Sequence, residues 1–430
     1  MRMKRSYLFI IVFFLALSNT IGQSESRLTT ADKLYGLAQF WHGAKINFAF
    51  FDQVPDLNWD SLYYENILAV QETKTDYEYV RLLQHMCHQL TDGHTRVGMP
   101  GYLRSKRNKP AIYTNIIGDQ VFITNVINDT ISDLGVEEKM EILEIDGMPV
   151  HEYADRYIKP YTFSSTIQDQ QVQTYAYQLL EGWVDDPVLL KLKSTTGEVG
   201  EYELPRNLIR HHPPGSIMSF EMLEDGIGKL TINQFWGDEF QSVFDSIFPM
   251  LAQTKGLIVD IRDNGGGNSG NSVYVMQHLS HKPFYTSNWS TPVYNAAYDS
   301  WNRDQEWYGE PGERVEPDST ITPYQKPIIL LIGSRTYSAA EDFCSYYQQA
   351  DIGPMMGSLT GGSTGNPTGI NLVKNLWGQV CTKRDVFYDG TPFVGIGVKP
   401  DIPVDWTVED FFQDKDTVLE SAITYLKKRT

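Results

Sequence analysis

The sequence predicts a mixed α/β fold in three parts: a helical N-terminal region, a β-rich module and a larger C-terminal core. Apolar residues recur at helical spacing before residue 92, and short β-like runs separated by turns fill residues 106–205. After residue 216, apolar strands such as Leu257–Val259 and Ile328–Ile332 alternate with amphipathic helices. Such alternation is typical of parallel strands that helices cover on both faces.

The composition excludes several classes of protein. The chain has 430 residues, of which 41% are hydrophobic, so it is long enough for two or three domains with substantial cores. Its formal net charge of -18 disfavours binding to nucleic acids or anionic membranes, because both partners attract a basic surface. Cys87, Cys344 and Cys381 allow at most one disulfide, so the fold must depend on its hydrophobic cores.

Residues 1–22 have the layout of a secretory signal peptide. Arg2, Lys4 and Arg5 precede an apolar stretch from Tyr7 to Leu17, and small or polar residues follow. The stretch is short for a membrane span, although an uncleaved anchor is the alternative. We therefore expect export to a periplasm or to the cell exterior, with no stable membrane span after the signal is removed.

Residues 23–105 are predicted to form a helical region that ends in a turn with a histidine. In "DYEYVRLLQHMCHQL" the apolar residues predict one buried face, and the opposite face, which includes His85 and His88, is predicted to be solvated. Asp92-Gly93 then supplies a stop signal. His94 follows in a non-helical turn, where a purely structural role is the alternative to a chemical one.

Two stretches are predicted to link the middle module to its neighbours. "LRSKRNKP" leads into the module at residues 106–205, and the proline-rich "RHHPPGS" follows it, so His211 and His212 are expected on the surface. The module has several short strands, among them Ile142–Ile145 before an Asp-Gly turn, and one helical stretch, "QVQTYAYQLL". Residues 206–430 are predicted to form the core.

A serine lies between a strand and a helix of this core, in "SRTYSAAEDF" at residues 334–343. A serine at such a turn can be a nucleophile, because the helix dipole faces the negative charge that it develops. Ser338 and Glu341 also match the capping-box pattern of a helix start, and the two roles are compatible. A nucleophilic serine needs a base, for which the candidates are His94 and a lysine downstream of Ser338.

Three consecutive glycines, Gly265–Gly267, follow another predicted strand of the core. They allow a sharp turn whose exposed amides can bind an oxyanion, and a plain tight turn or a phosphate loop is the alternative. The phosphate loop is disfavoured because no Lys-Ser/Thr pair follows. A metal site at Cys87, His88 and His94 is also disfavoured, because a helix points Cys87 and His88 to different faces. We expect no metal and no cofactor.

Several motifs together resemble one group of enzymes. In this order, "IGKLTINQF", "LIVDIRDNGGG", "SRTYSAAEDF" and "VGIGVKPDIPV" are similar to the core of the C-terminal processing (tail-specific) serine peptidases and the related tricorn-type peptidases. "LTDGHTRVG" resembles the histidine-bearing turn of the tricorn-type branch, and "EKMEILEIDGMPV" resembles the closing part of a PDZ module. The resemblance implies a crotonase-like (ClpP/crotonase) βα core, a PDZ-like module and hydrolysis of peptide bonds in proteins or peptides.

By position, the resemblance implies that Ser338 is the nucleophile and that Gly266 and the N–H of Ala339 are the oxyanion donors. The processing peptidases use a lysine base, but Ser363 occupies the matching place in "GSLTGGSTG". The general base is therefore expected to be His94, as in the tricorn-type branch. That branch orients its histidine with a glutamate near the last motif, where this chain offers only Asp389, a few residues earlier.

Two other functions are compatible with the same scaffold. A related protein can bind an apolar ligand or a peptide outside the cell without cutting it, and crotonase relatives act on acyl thioesters. The serine, the histidine and the glycine triplet favour catalysis over binding alone, and the predicted export disfavours thioesters, which are cytosolic. The sequence thus predicts an exported serine endopeptidase.

Overall fold

A computed structural model of the chain describes residues 26–208 and 215–429. The predicted signal peptide and the histidines His211 and His212 lie outside the described residues. Among the described helices, none is both long and apolar enough to cross a membrane. Cys87, Cys344 and Cys381 are all buried and free, so the one disulfide that the cysteine count allowed is not formed.

The predicted N-terminal helical region consists of three helices, at Thr30–Asn47, Trp59–Glu72 and Asp76–His88. The first and the third start with capping boxes, which satisfy free amides at both helix starts. The face of the third helix that was predicted to be apolar is largely buried, through Tyr79, Leu83, Met86 and Leu90.

The sequence predicted that the opposite face of this third helix is solvated, but both of its histidines contact other parts of the chain. The side chain of His85 is exposed, but its Nδ1 lies 3.0 Å from Pro160 O. His88 is half-buried, and its Nδ1 lies 3.1 Å from Thr162 O. Both histidines therefore contact the middle module, a long-range contact that helical periodicity does not reveal.

The middle module, called here the β module (residues 106–205), is built on one antiparallel sheet. Its main strands, in sheet order, are Ile112–Ile117, Gln120–Val126, Glu141–Ile145, Val188–Lys193 and Val199–Leu204. A helical segment packs beside the edge strand and runs from Ile167–Gln171 into a wider turn at Val172–Gln178. The module has its own hydrophobic cluster, to which Val121, Ile142 and Leu190 belong.

The core contains a six-stranded sheet whose strands follow the order Met218–Met222, Ile227–Ile232, Gly256–Asp260, Ile328–Ile332, Met355–Gly357 and Ile402–Pro403. The first two strands pair antiparallel, and all other neighbours are parallel. The two central strands are buried along their whole length, because apolar clusters cover both faces of the sheet. This layered arrangement of strands and helices was predicted from the sequence.

Helices at Phe240–Leu251, Ser269–Leu279 and Ala339–Ala350 cover one face of this sheet, and Thr417–Lys427 covers the other. Shorter helices lie at Gly101–Arg104, Asp129–Asp133, Val150–Tyr153, Ala296–Ser300 and Val408–Phe412. The N-terminal helices contribute to the same hydrophobic cluster as the first face. The N-terminal region and the core therefore share one apolar interior.

Two smaller sheets extend the core, and their pairing was not visible in the sequence. In one, Arg96–Val97 pairs with Leu376–Val380, which pairs with Thr368–Val373. In the other, Asn288–Val293 lies between Glu306–Glu310 and Arg384–Val386. The first sheet matters for function, because it ties the chain immediately after His94 to the core.

Candidate active site

Ser338 lies where the central strand Ile328–Ile332 turns into the helix Ala339–Ala350, here called the nucleophile helix. Its backbone has φ +56°, a conformation that costs a non-glycine residue on the order of 1–3 kcal/mol. Its N–H donates to Ser363 O (3.1 Å) and to Glu341 Oε2 (3.2 Å), which offsets part of this cost. The turn presents the Ser338 side chain at the positive end of the helix dipole.

His94 lies beside Ser338, although the two residues are 244 positions apart. The imidazole Nε2 is 3.3 Å from Ser338 Oγ, and Nδ1 is 2.7 Å from Ser363 Oγ. The ring of Tyr337 stacks on the imidazole at 5.2 Å between ring centres. The His94 carbonyl also accepts a hydrogen bond from Gln379 Nε2 (2.8 Å), so hydrogen bonds hold both the side chain and the backbone of His94.

The surroundings keep the imidazole neutral. Burial, together with the nearby Arg96 cation, lowers the pKa of His94 to about 4. A neutral imidazole has one bare nitrogen that can accept a proton. His94 thus has the protonation state of a general base at neutral pH.

Glu341 connects the nucleophile turn to the loop that carries Ser363. Its fully buried carboxyl group accepts from Thr360 Oγ1 (2.5 Å), Gly362 N (2.7 Å) and Ser363 N (2.8 Å), besides Ser338 N. Burial raises the pKa of Glu341 to about 7, although these hydrogen bonds act in the opposite direction. The sequence suggested only a capping partner at this position, and the wider role depends on contacts with a loop some twenty residues away.

The glycine triplet lies against the nucleophile turn. Gly266 has φ +97°, and a Cβ placed on it would lie 2.6 Å from Tyr337 O and 2.7 Å from Ser338 Cβ. The Gly266 amide donates to Asn264 Oδ1 (2.8 Å), so it is already engaged. Within the described part of the chain, the amides of Gly267 and Ala339 have no acceptor.

The other candidates from the sequence lie outside this site. Asp389 was a candidate for orienting His94, but it is exposed and accepts a hydrogen bond from Thr391 N (2.9 Å), so it does not take that role. Lys374 pairs with Asp32, and Lys383 pairs with Asp385. Within the described residues, no group of three metal-ligating side chains converges.

The β module contributes three side chains to the rim of the site that the sequence gave no reason to select. Ser165 Oγ accepts from Gly93 N (3.0 Å), immediately before His94. Thr166 Oγ1 donates to Gly361 O (2.8 Å), and Gln168 Nε2 donates to Thr360 O (2.8 Å). One short segment of the module therefore holds both the histidine turn and the Ser363 loop.

Residues 226–404 match a family model described as Peptidase family S41. No curated protein matches the chain. Among solved structures, mature CPAF is similar, with 14% identity and a TM-score of 0.72 over 93% of this chain and 96% of that chain. The photosystem II D1 C-terminal processing protease is similar as well, with 17% identity and a TM-score of 0.50 over 88% of this chain and 94% of that chain. At these identities the likeness is one of fold.

The glycine triplet offers a matched pair of substitutions. We expect Gly266→Ala to lower labelling of Ser338 by a fluorophosphonate probe more than about 100-fold, because the methyl group would push the nucleophile turn away. Gly265→Ala is the control, since a Cβ at Gly265 meets nothing within 4 Å. Equal labelling of the two folded variants, as judged by circular dichroism, would show that the close approach at Gly266 is unimportant.

Buried carboxyl groups also predict how the free energy of unfolding depends on pH. Burial raises the pKa of Asp92 to about 6 and those of Asp169 and Glu341 to about 7. The unfolded chain releases these protons at lower pH, so stability falls as pH rises toward 8, by on the order of a few kcal/mol. His88 and His94, whose pKa values are lowered, oppose this trend only below about pH 6.5, where unfolded histidine titrates.

The melting temperature between pH 6.5 and 8.5 measures this effect. Burial, together with the neighbouring Asp385, also raises the pKa of Asp342, which lies on the nucleophile helix outside the site. Asp342→Asn should therefore show a shallower decline than the unchanged protein. A melting temperature that rises over this range would contradict the assignment of raised pKa values.

Proposed function

We propose that this chain, whose residues 226–404 match the family model of peptidase family S41, is a serine peptidase that works through an acyl-enzyme on Ser338, with His94 as general base. The observation that carries the proposal is the line Ser363 Oγ–His94–Ser338 Oγ, with distances of 2.7 and 3.3 Å. A nucleophile, a base and a group that orients the base are the three parts that such chemistry requires.

The reaction would begin when His94 Nε2 takes the proton of the Ser338 hydroxyl as Ser338 Oγ attacks the peptide carbonyl. The protonated imidazole then gives this proton to the leaving amine, and the C–N bond breaks. A water molecule, activated by the same Nε2, attacks the acyl-enzyme and releases the carboxyl product and Ser338. Throughout, Nδ1 keeps its hydrogen and remains bound to Ser363 Oγ, which replaces the carboxylate partner of familiar triads.

The oxyanion of each tetrahedral intermediate would be held by backbone amides. Among the described residues nothing accepts the Ala339 N–H, which lies at the first turn of the nucleophile helix, so the helix dipole adds to its effect. For the second donor, the Gly267 amide is better suited than the predicted Gly266 amide, because Gly266 N–H already donates to Asn264. Gly266 would then serve by letting the triplet approach Ser338 closely.

The finer description of the chain belongs to the same proposal. Residues 1–22 would direct export, residues 23–105 would supply the histidine turn, and residues 106–205 would be a PDZ-like module. Residues 206–430 would be a crotonase-like core that carries the nucleophile. The separate hydrophobic cluster of the β module and the parallel sheet of the core support this division. The substrates would be proteins or peptides outside the cytosol.

Ser338→Ala is the decisive variant for this function. The mature protein should cleave members of a mixed peptide library, and Ser338→Ala should reduce cleavage to background, because it removes the hydroxyl on which the proposed acyl-enzyme forms. His94→Ala should lower kcat at least 1,000-fold, on the scale of lost triad members. A peptide that is still cut by Ser338→Ala, or a chain that binds peptides without cutting and without reacting with a fluorophosphonate probe, would refute the proposal.

A further inference from the structure

We propose that Asp169 of the β module sets the tautomer of His94 through the hydroxyl groups of Tyr337 and Ser363, and so makes Nε2 the proton acceptor. The proposal rests on the function proposed above, since it explains how that base is oriented. Asp169 and Tyr337 touch neither the substrate nor the transferred proton, so they are positioning residues. We call the four side chains Asp169, Tyr337, Ser363 and His94 the relay.

The relay is a continuous line of polar contacts. Ser363 Oγ lies 2.7 Å from His94 Nδ1. The Tyr337 hydroxyl forms side-chain hydrogen bonds with both Ser363 and Asp169. Gly93 shows that the Tyr337 hydroxyl and the Asp169 carboxyl lie close together, because a Cβ placed on Gly93 would lie 1.8 Å from the Tyr337 hydroxyl and 3.0 Å from Asp169 Oδ2. Only a glycine at position 93 lets these groups meet beside His94.

Two members of the relay, Asp169 and Ser363, are shielded from water. Asp169 is 2% exposed and Ser363 is fully buried. In such surroundings each hydrogen bond is electrostatically stronger than in water, and a buried group left without its partner is costly. The orientation of the Ser363 hydroxyl hydrogen is therefore determined by its neighbours rather than by solvent.

The direction of the hydrogen bonds follows from Asp169 when it is ionised. A carboxylate can only accept, so the Tyr337 O–H donates to it. The Tyr337 oxygen then accepts from Ser363 O–H, and the Ser363 oxygen accepts from His94 Nδ1–H. With its hydrogen on Nδ1, the neutral imidazole has a bare Nε2, which faces Ser338 Oγ at 3.3 Å. No proton has to move along the relay for this effect.

When Asp169 is protonated, this constraint disappears. A carboxylic acid can donate to the Tyr337 oxygen, and every hydrogen bond in the relay can then reverse. Ser363 O–H would donate to His94 Nδ1, and the imidazole hydrogen would lie on Nε2. That tautomer cannot accept the proton of Ser338, so the active fraction of the protein, and with it kcat, would fall in this state.

The other acidic groups near the site do not take this role. Glu341 is committed to the amides of the Ser363 loop. Asp92 is buried, and its carboxyl group accepts hydrogen bonds from Thr95, from the backbone of His94 and, at 3.5 Å, from Ser165 Oγ, so it is committed to the histidine turn. Asp169 is thus the acid whose line of contacts ends on Nδ1.

The pH at which the relay changes direction follows from the groups around Asp169. Burial raises its pKa to about 7, the nearby Asp92 raises it further, and hydrogen bonds from Gln173, Ser165 and Tyr337 oppose the rise. Tyr177 lies on the same helical segment as Asp169, and the guanidinium group of Arg335 lies over its ring. Because the pKa of His94 is only about 4, the imidazole alone would give an acid limb far below the limb expected from Asp169.

The test compares Asp169→Asn and Tyr337→Phe in the full-length chain, with kcat and KM measured from pH 5 to pH 9. We expect kcat of the unchanged protein to rise with a midpoint near pH 7. Both variants should lose about 10–100-fold in kcat at pH 8 with little change in KM, less than the ~10⁴-fold loss seen where the acid contacts histidine directly. Asp169→Asn should also lose the limb near pH 7.

Tyr347→Phe is the matched control, because Tyr347 is a buried tyrosine of the nucleophile helix whose hydroxyl has no partner among the described residues. It should keep kcat and the pH profile of the unchanged protein. If Asp169→Asn retains both the rate and the limb near pH 7 while Ser338→Ala is inactive, the relay is refuted and the proposed function stands.

A second measurement does not depend on activity. In the Ser338→Ala background, the ¹⁵N chemical shifts of His94 report which ring nitrogen carries the hydrogen. We expect the Nδ1–H form at pH 8, and a shift toward the Nε2–H form in the added Tyr337→Phe or Asp169→Asn variant. An unchanged tautomer in both double variants would refute the relay even if the chain cleaves no peptide.

Discussion

The buried carboxyl group of Glu341 is the interaction on which the site depends. Four donors surround it, from Ser338, Thr360, Gly362 and Ser363. Burying an ionised carboxylate costs several kcal/mol, and hydrogen bonds to a charged group contribute about 1.5–3 kcal/mol each. The four bonds offset part of this cost, and burial remains the larger effect, since the pKa of Glu341 is still raised to about 7. Without them, neither the strained turn at Ser338 nor the position of Ser363 would be held.

The site is assembled from all three parts of the chain, and each part supplies what the others lack. The core provides Ser338 on a rigid strand-to-helix turn, and the N-terminal region provides His94. The strand pairing at Arg96–Val97 and the shared hydrophobic cluster hold that histidine turn against the core. The β module contributes the segment that contains Ser165 and Asp169, which contacts the turn from the other side. A shift of the β module would therefore change the position of His94.

Sequence reasoning succeeded where a pattern is local and failed where a contact is distant. Periodicity predicted the buried strands of the core, and the strand-to-helix junction predicted Ser338 as a candidate. The residues offered His94 and a downstream lysine as the base for Ser338, and the resemblance favoured His94. Ser363 was noticed as the place of a missing lysine, but its contact with Nδ1 needs a loop position that Glu341 and the β module hold through distant contacts. Asp169 had no signal at all, since its role depends on the packing of one module against another.

The use of two hydroxyl groups between Asp169 and His94 follows from the neighbourhood of Glu341. The loop that carries Ser363 already donates two amides to this carboxyl group. A second carboxylate at position 363 would lie beside the first in the same buried space, where like charges raise each other's pKa and one of them becomes neutral. Serine and tyrosine hydroxyls transmit the direction of hydrogen bonding without adding a charge. The acid can then lie in the β module, at a distance at which both carboxyl groups can keep separate roles.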